Sequence, residues 1–155
     1  GTYSINSKVD EAQGIYQVIL YEGESNKVIR TYDIIGRDFT FSWSPDSTKV
    51  CTIYSGRIWS HFSIIDVSNK RMQEGPYAAE IIKKLRVGGA KIGYELNENR
   101  PDPYIVPIKW SPDSKTLTVS YKWYDKEYNA QNGVFLYKID TGEVYGLIQY
   151  PAMEG

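Results

Sequence analysis

The stretch FSWSPDSTKV, residues 41–50, returns 67 positions later as IKWSPDSKTL, residues 108–117. In both copies an alternating run leads into a tryptophan, Trp43 or Trp110, and a Ser-Pro-Asp-Ser turn reverses the chain. Proline presets φ for the second position of such a turn, and Asp and Ser side chains accept nearby backbone N–H groups. In the first copy Phe39, Phe41 and Trp43 alternate with Thr40, Ser42 and Ser44, and KVCTIYS is the returning strand. A strand–turn–strand unit is therefore expected twice.

Working outward, a second unit recurs three times: VILYEGESNKV from Val18, FSIIDVSNKR from Phe62 and VFLYKIDTGEV from Val134. Each reads as a hairpin of aliphatic strands across a polar turn. The first implies a hairpin over residues 14–35, turning at GESNK, with Tyr16, Val18 and Leu20 on one face and Ile15, Ile19 and Tyr21 on the other.

Residues 76–87, PYAAEIIKKLRV, break this period. Tyr77, Ile81 and Leu85 recur every fourth residue with Ala78 and Ile82 beside them, which predicts an amphipathic helix. Pro76 suits its first position. Lys83, Lys84 and Arg86 lie near its C-terminal end, where the dipole favours them, and Gly88-Gly89 stops it. After the helix, residues 90–96 read as a short strand, and Pro101 and Pro103 impose extended conformations on Arg100 and Asp102.

Composition sets limits on function. Eighteen Lys and Arg against nineteen Asp and Glu leave a net charge of −1 without like-charge runs, which argues against a nucleic-acid footprint. No apolar stretch reaches the roughly 18 residues of a membrane-spanning helix. The single cysteine, Cys51, rules out an internal disulfide. Because the chain begins at Gly1 rather than Met, the sequence is compatible with a signal or lipid-anchor segment removed from its front.

A repeated unit with a fixed turn is the sign of a solenoid or propeller. The WSPDS turns, followed by aliphatic strands that end in an Asp turn such as DTG, resemble the TolB-type β-propeller repeat over residues 39–70 and 105–147. The resemblance implies a mainly β fold of antiparallel propeller-like blades, with one inserted amphipathic helix, in a single domain of residues 1–155. The helix and loop insertion at about 76–107 accounts for a repeat distance longer than a typical blade of about 40–45 residues. The family's Gly after the Asp is Ser47 or Ser114 here, so serine must tolerate any left-handed position in the turn. Two turns and three hairpins make about two and a half blades, whereas a closed propeller has about four to eight. A fragment of a longer protein, an oligomer sharing a ring, or a compact variant with the helix over an open edge would each resolve this. The helix favours the last two.

Catalytic chemistry has little support. His61 is the one histidine, Cys51 falls inside a strand, and no GxSxG elbow occurs. Asp46, Asp113, Asp66 and Asp140 are explained as turn residues. No metal site and no cofactor are expected, since NENRPDP around Glu98 and Asp102 lacks alternating ligand spacing. Aromatic residues carry the remaining signal. Tyr121, Trp123, Tyr124 and Tyr128 fall in and around a polar hairpin loop read as seven residues longer than its counterpart after Ile53, where Trp59 and His61 sit. Exposed rings beside polar groups suit a protein, peptide or glycan partner. The expected function is a non-enzymatic binding or scaffolding module. The alternatives are a carbohydrate- or peptide-processing enzyme with an inter-blade cleft, or an accessory fragment of a larger propeller. The resemblance alone implies an extracytoplasmic location, secreted or lipid-anchored.

Overall fold

The computed structural model describes residues 3–10, 15–23 and 27–151. Its strands fall into three antiparallel meanders. The first holds β1 (Tyr3–Asp10), β2 (Ile15–Glu22) and β3 (Lys27–Ile35), in that order. The second holds β4 (Asp38–Trp43), β5 (Lys49–Ser55), β6 (Ser60–Asp66) and β7 (Arg71–Glu74). The third holds β8 (Tyr104–Trp110), β9 (Thr116–Tyr124), β10 (Ala130–Lys138) and β11 (Val144–Gln149). The second and third are joined into one eight-stranded sheet through a parallel bridge, Ser60 to Tyr104, where the Ser60 N–H donates to the Pro103 carbonyl at 3.0 Å.

The three recurring hairpins are β2–β3, β6–β7 and β10–β11, the same place in each sheet. The first sheet thus contains counterparts of the last three strands of the others. Strand β1 is not foreseen from the sequence, because Tyr3 and Ile5 alternate with polar Ser4 and Asn6 over too few apolar residues. Residues 24–26 of the turn GESNK lie outside the described residues.

The WSPDS turn joins β4 to β5 and β8 to β9. In the first copy the Ser47 N–H donates to the Ser44 carbonyl at 2.9 Å, and the Ser44 N–H to that of Lys49 at 2.9 Å. The Asp46 carboxylate accepts the Ser44 hydroxyl at 2.7 Å and the Thr48 N–H at 3.0 Å. The second copy repeats this with Ser111, Asp113, Ser114 and Lys115. Donors from Ser44 and Thr48 hold the Asp46 carboxyl far below the usual carboxylate range, and Ser111 and Lys115 lower that of Asp113. Ser47 and Ser114 adopt φ of 60° and 63°, so serine does fill the left-handed position. That conformation costs an L-residue about 1–2 kcal/mol. Ser47→Gly is therefore expected to stabilise the fold by about 0.5–1 kcal/mol in urea denaturation, part of the relief being offset by glycine's greater freedom when unfolded. Ser114→Gly should gain less, because its Oγ accepts the Asp46 N–H at 3.1 Å across the two turns. The Trp110 indole N–H crosses the same gap to the Ser42 carbonyl at 3.2 Å.

Strand alternation gives the middle sheet two buried faces. Val50, Tyr54 and Ile65 pack with Val18, Leu20, Tyr32 and Ile34 of the first sheet. Cys51, Phe62 and Ile64 pack with Leu117, Val119, Phe135 and Tyr137 of the third. Helix α1 (Ala78–Val87) lays Ala78, Ile81, Ile82 and Leu85 into that second core.

The helix starts later than Pro76. Tyr77 is its N-cap, with φ −91° and ψ 164°, and lies 52 % exposed instead of joining Ile81 and Leu85. The reason is local: the Gly75 N–H still donates to the Phe62 carbonyl at 2.9 Å, prolonging the sheet up to Pro76. At the other end Gly89 has φ 96°, and the Ala90 and Gly89 N–H groups bond the Leu85 and Arg86 carbonyls, a Schellman closure.

The strand expected over 90–96 does not form. The Arg86 guanidinium takes the Ile92 and Tyr94 carbonyls that a neighbouring strand would need, and only Leu96 makes a bridge, to Asp125. Asp102 departs from the extended form expected before proline, with φ 39°, while Arg100 grips its carboxylate at 3.3 and 3.2 Å. Aspartate is among the few residues that tolerate the left-handed region.

Candidate functional site

The six aromatic candidates do not share one surface. Tyr121 and Trp123 are 3 % and 1 % exposed, stacked on each other at 4.3 Å. The Trp123 indole N–H donates to the Tyr94 hydroxyl at 2.8 Å. Both rings lie in the core shared with α1, which corrects the expectation that they are exposed. Tyr124 is half-buried on the other face of β9, with the Lys122 ammonium 5.8 Å from its ring. Tyr128 is 61 % exposed in the loop.

The loop itself is shorter than expected. Ladder pairing runs from Lys138–Thr116 to Ala130–Tyr124, so only residues 125–129 turn, against 56–59 in the earlier hairpin. Most of the extra length is strand. Asp125, 3 % exposed, organises this loop by accepting the Glu127 and Asn129 N–H groups and the Gln131 amide, each at 2.9 Å. Burial pushes its carboxyl up, but these donors outweigh that and leave it lowered. Asn97 bonds the Asn99 and Arg100 N–H groups, which gives the polar NENR segment a structural use.

Trp59 and His61 do come together. They line a cleft of about 430 Å³ against the middle sheet, with Tyr54, Ser63, Glu74 and Tyr77 around them and Ile34 and Met72 as apolar walls. The β5–β6 register places Tyr54 directly opposite His61. Tyr54 and Trp59 meet edge to face, with centroids 6.0 Å apart and planes at 83°. Tyr77 stacks on His61 at 4.1 Å and 10°.

The polar groups of the cleft mostly satisfy one another. His61 Nε2 lies 2.8 Å from the Gly75 carbonyl, and since a carbonyl only accepts, this nitrogen carries the proton. The Tyr54 and Ser63 hydroxyls are 3.0 Å apart, and the Tyr77 hydroxyl donates to Glu74 at 3.1 Å. Burial lowers the pKa of His61, so the ring is neutral at pH 7. Tyr77 is pushed up to about 12, by burial first and then by the Glu74 carboxylate. Cys51 is buried between sheets and raised to about 12, which keeps it a thiol.

Sequence reading missed Tyr54, Glu74 and Tyr77. The available signal was the hairpin register: with residues 56–59 as the turn, Tyr54 must face His61. A larger groove of about 680 Å³ runs between α1 and the β10–β11 turn. Its Lys84 is already spent on the Gly142 carbonyl at 3.0 Å and on Glu80 at 3.2 Å.

No family model matches the chain, and no curated protein matches it. Solved structures do. The β-propeller domain of the Trilobed protease from Pyrococcus furiosus, described as having an open velcro topology, superposes on 96 % of this chain with a TM-score of 0.55 at 13 % identity. TolB from Acinetobacter baumannii superposes on 99 % with 0.52 at 12 %, and the acylaminoacyl peptidase of Pyrococcus horikoshii on 96 % with 0.51 at 12 %. The chain spans 39 %, 31 % and 23 % of those chains respectively. With them it shares the β-propeller fold: consecutive antiparallel blades, here with an amphipathic helix inserted between two of them.

Proposed function

We propose that this chain is a binding or scaffolding module and that its ligand enters the Trp59–His61 cleft. The observation that carries this reading is the convergence of Tyr54, Trp59, His61 and Tyr77 on one concave site, with Glu74 the one carboxylate among the described lining residues. Clefts of this size with aromatic walls and few polar groups are the usual form of small-ligand and side-chain pockets. Catalysis is the weaker reading. The His61 proton is held by a backbone carbonyl, Cys51 is inert, and the described lining residues offer Glu74 alone where glycoside hydrolysis uses a pair of carboxylates.

In this reading residues 1–155 act as one domain, the partner is a protein, peptide or glycan segment, and the site of action is extracytoplasmic, as the TolB-like architecture suggests. Exposed Ile108 and Ile148 on the third sheet mark a face where a further blade or a second copy would add. Glycan and peptide arrays probed with the intact chain test the cleft. Trp59→Ala should lower affinity by at least about 2 kcal/mol, a hot-spot effect, while leaving the circular dichroism spectrum unchanged. Unchanged binding by that variant excludes the cleft, and product release from any array member would favour the enzyme reading.

A further inference from the structure

Aromatic rings make up half of the described lining of this cleft, with Ile34 and Met72 as aliphatic walls. Tyr54 stands at 83° to Trp59 and at 73° to His61, each at 6.0 Å, so these two rings make a corner with it, while Tyr77 lies flat on His61 at 4.1 Å. Among the described lining residues there is no Lys or Arg, and Glu74 carries the one formal negative charge. His61 adds no positive charge while its ring is neutral. An anion would therefore meet a carboxylate and no cationic partner. A sugar needs free donors and acceptors, but the hydroxyls of Tyr54 and Ser63 face each other and that of Tyr77 is turned onto Glu74. A methylated ammonium group needs neither. It is held by the negative faces of aromatic rings and by a nearby carboxylate, and it carries no N–H that demands an acceptor when fully methylated.

We propose that the cleft binds a quaternary ammonium group, with Tyr54 and Trp59 against its methyls and Glu74 as its counter-charge. This rests on the cleft being the binding site and names the chemistry of what enters. The volume of about 430 Å³ accommodates such a head group with part of the chain that bears it. The group belongs either to a free small molecule or to a trimethylated lysine side chain. Both present the same chemistry to the rings.

Calorimetric titration of the intact chain separates these cases from each other and from simple apolar binding. The probes are choline, its neutral carbon isostere 3,3-dimethylbutan-1-ol, and a short peptide with trimethyl-lysine beside the same peptide with unmodified lysine. The expected result is binding of choline or of the trimethylated peptide, with the neutral isostere weaker by roughly 10-fold, the scale of a partly desolvated cation–π contact. Glu74→Gln should weaken the cationic probe by roughly 5-fold and leave the isostere unchanged, as removal of a charge does. Because Glu74 is exposed, this variant tests recognition without risk to the core. Equal affinity for choline and its isostere, lost in Trp59→Ala, would overturn ammonium recognition while keeping the cleft as a binding site. No heat from either cationic probe would overturn it as well, and the array experiment on Trp59→Ala then decides the fate of the cleft separately.

Discussion

Trp123→Ala is expected to destabilise the chain by about 3–5 kcal/mol, the range for deleting a large buried aromatic ring. The indole is 1 % exposed, stacks on Tyr121, and supplies the hydrogen bond that satisfies the Tyr94 hydroxyl. Its removal leaves a cavity beneath α1 and a hydroxyl that loses this partner, and both effects act in the same direction. Tyr128→Ala provides the contrast. That ring is 61 % exposed, so its loss should fall within about ±0.5 kcal/mol, with any gain or loss at its left-handed backbone, φ 60°, included. Urea midpoints of the two variants separate a core ring from a surface ring. Similar midpoints would mean that Trp123 does not occupy the core.

The second large effect is at Gly133, where β10 pairs with both β9 and β11. A Cβ built there would lie 2.1 Å from the Ile148 carbonyl oxygen and 2.8 Å from the Tyr121 hydroxyl. The first obstacle is backbone and cannot rotate aside, so Gly133→Ala must push β11 away from β10 or shift the strand itself. Overpacking of this kind costs about 1–3 kcal/mol or more. Because β11 contributes Val144 to the core beneath α1, the disturbance should reach the helix. Faster amide exchange in β11 and α1 than in β5 and β6 would be its signature. Uniform exchange across all four elements would show that the strand edge absorbs the methyl without opening.

The repeat made the architecture readable. Trp43 and Trp110 mark equivalent strand ends, and the paired Ser-Pro-Asp-Ser turns fix β4–β5 and β8–β9 with little ambiguity, because Pro and Asp act through local geometry that distant contacts seldom override. Periodicity likewise exposed α1, whose buried residues Ile81, Ile82 and Leu85 sit where their spacing requires. What failed was tertiary. Residues 90–96 have the pattern of a strand, yet Arg86 satisfies their carbonyls from the helix, an arrangement that no local pattern encodes.

The site was half legible for a related reason. Richness in aromatic rings singles out Tyr121 and Trp123, but richness says nothing of orientation. The alternation did: with Thr116, Thr118, Ser120 and Lys122 on one face of β9, the odd-numbered Leu117, Val119, Tyr121 and Trp123 had to share the other. Trp59 and His61 were identifiable as neighbours on one hairpin. Glu74 and Tyr77 reach the same cleft from the far side of the sheet turn, through a Gly75 that hands its carbonyl to His61. That approach depends on how the sheet meets the helix, and sequence spacing does not reveal it.

The two copies of the turn belong to adjacent blades pressed against each other, not to independent hairpins. Nuclear Overhauser spectroscopy on labelled chain tests this packing through the Trp110 indole proton. Slow solvent exchange of that proton and cross-peaks to Ser42 are expected, together with cross-peaks between the Asp46 amide and the Ser114 side chain, as the 3.2 Å and 3.1 Å bonds require. A Trp110 indole proton that exchanges freely and shows contacts only within its own hairpin would contradict it.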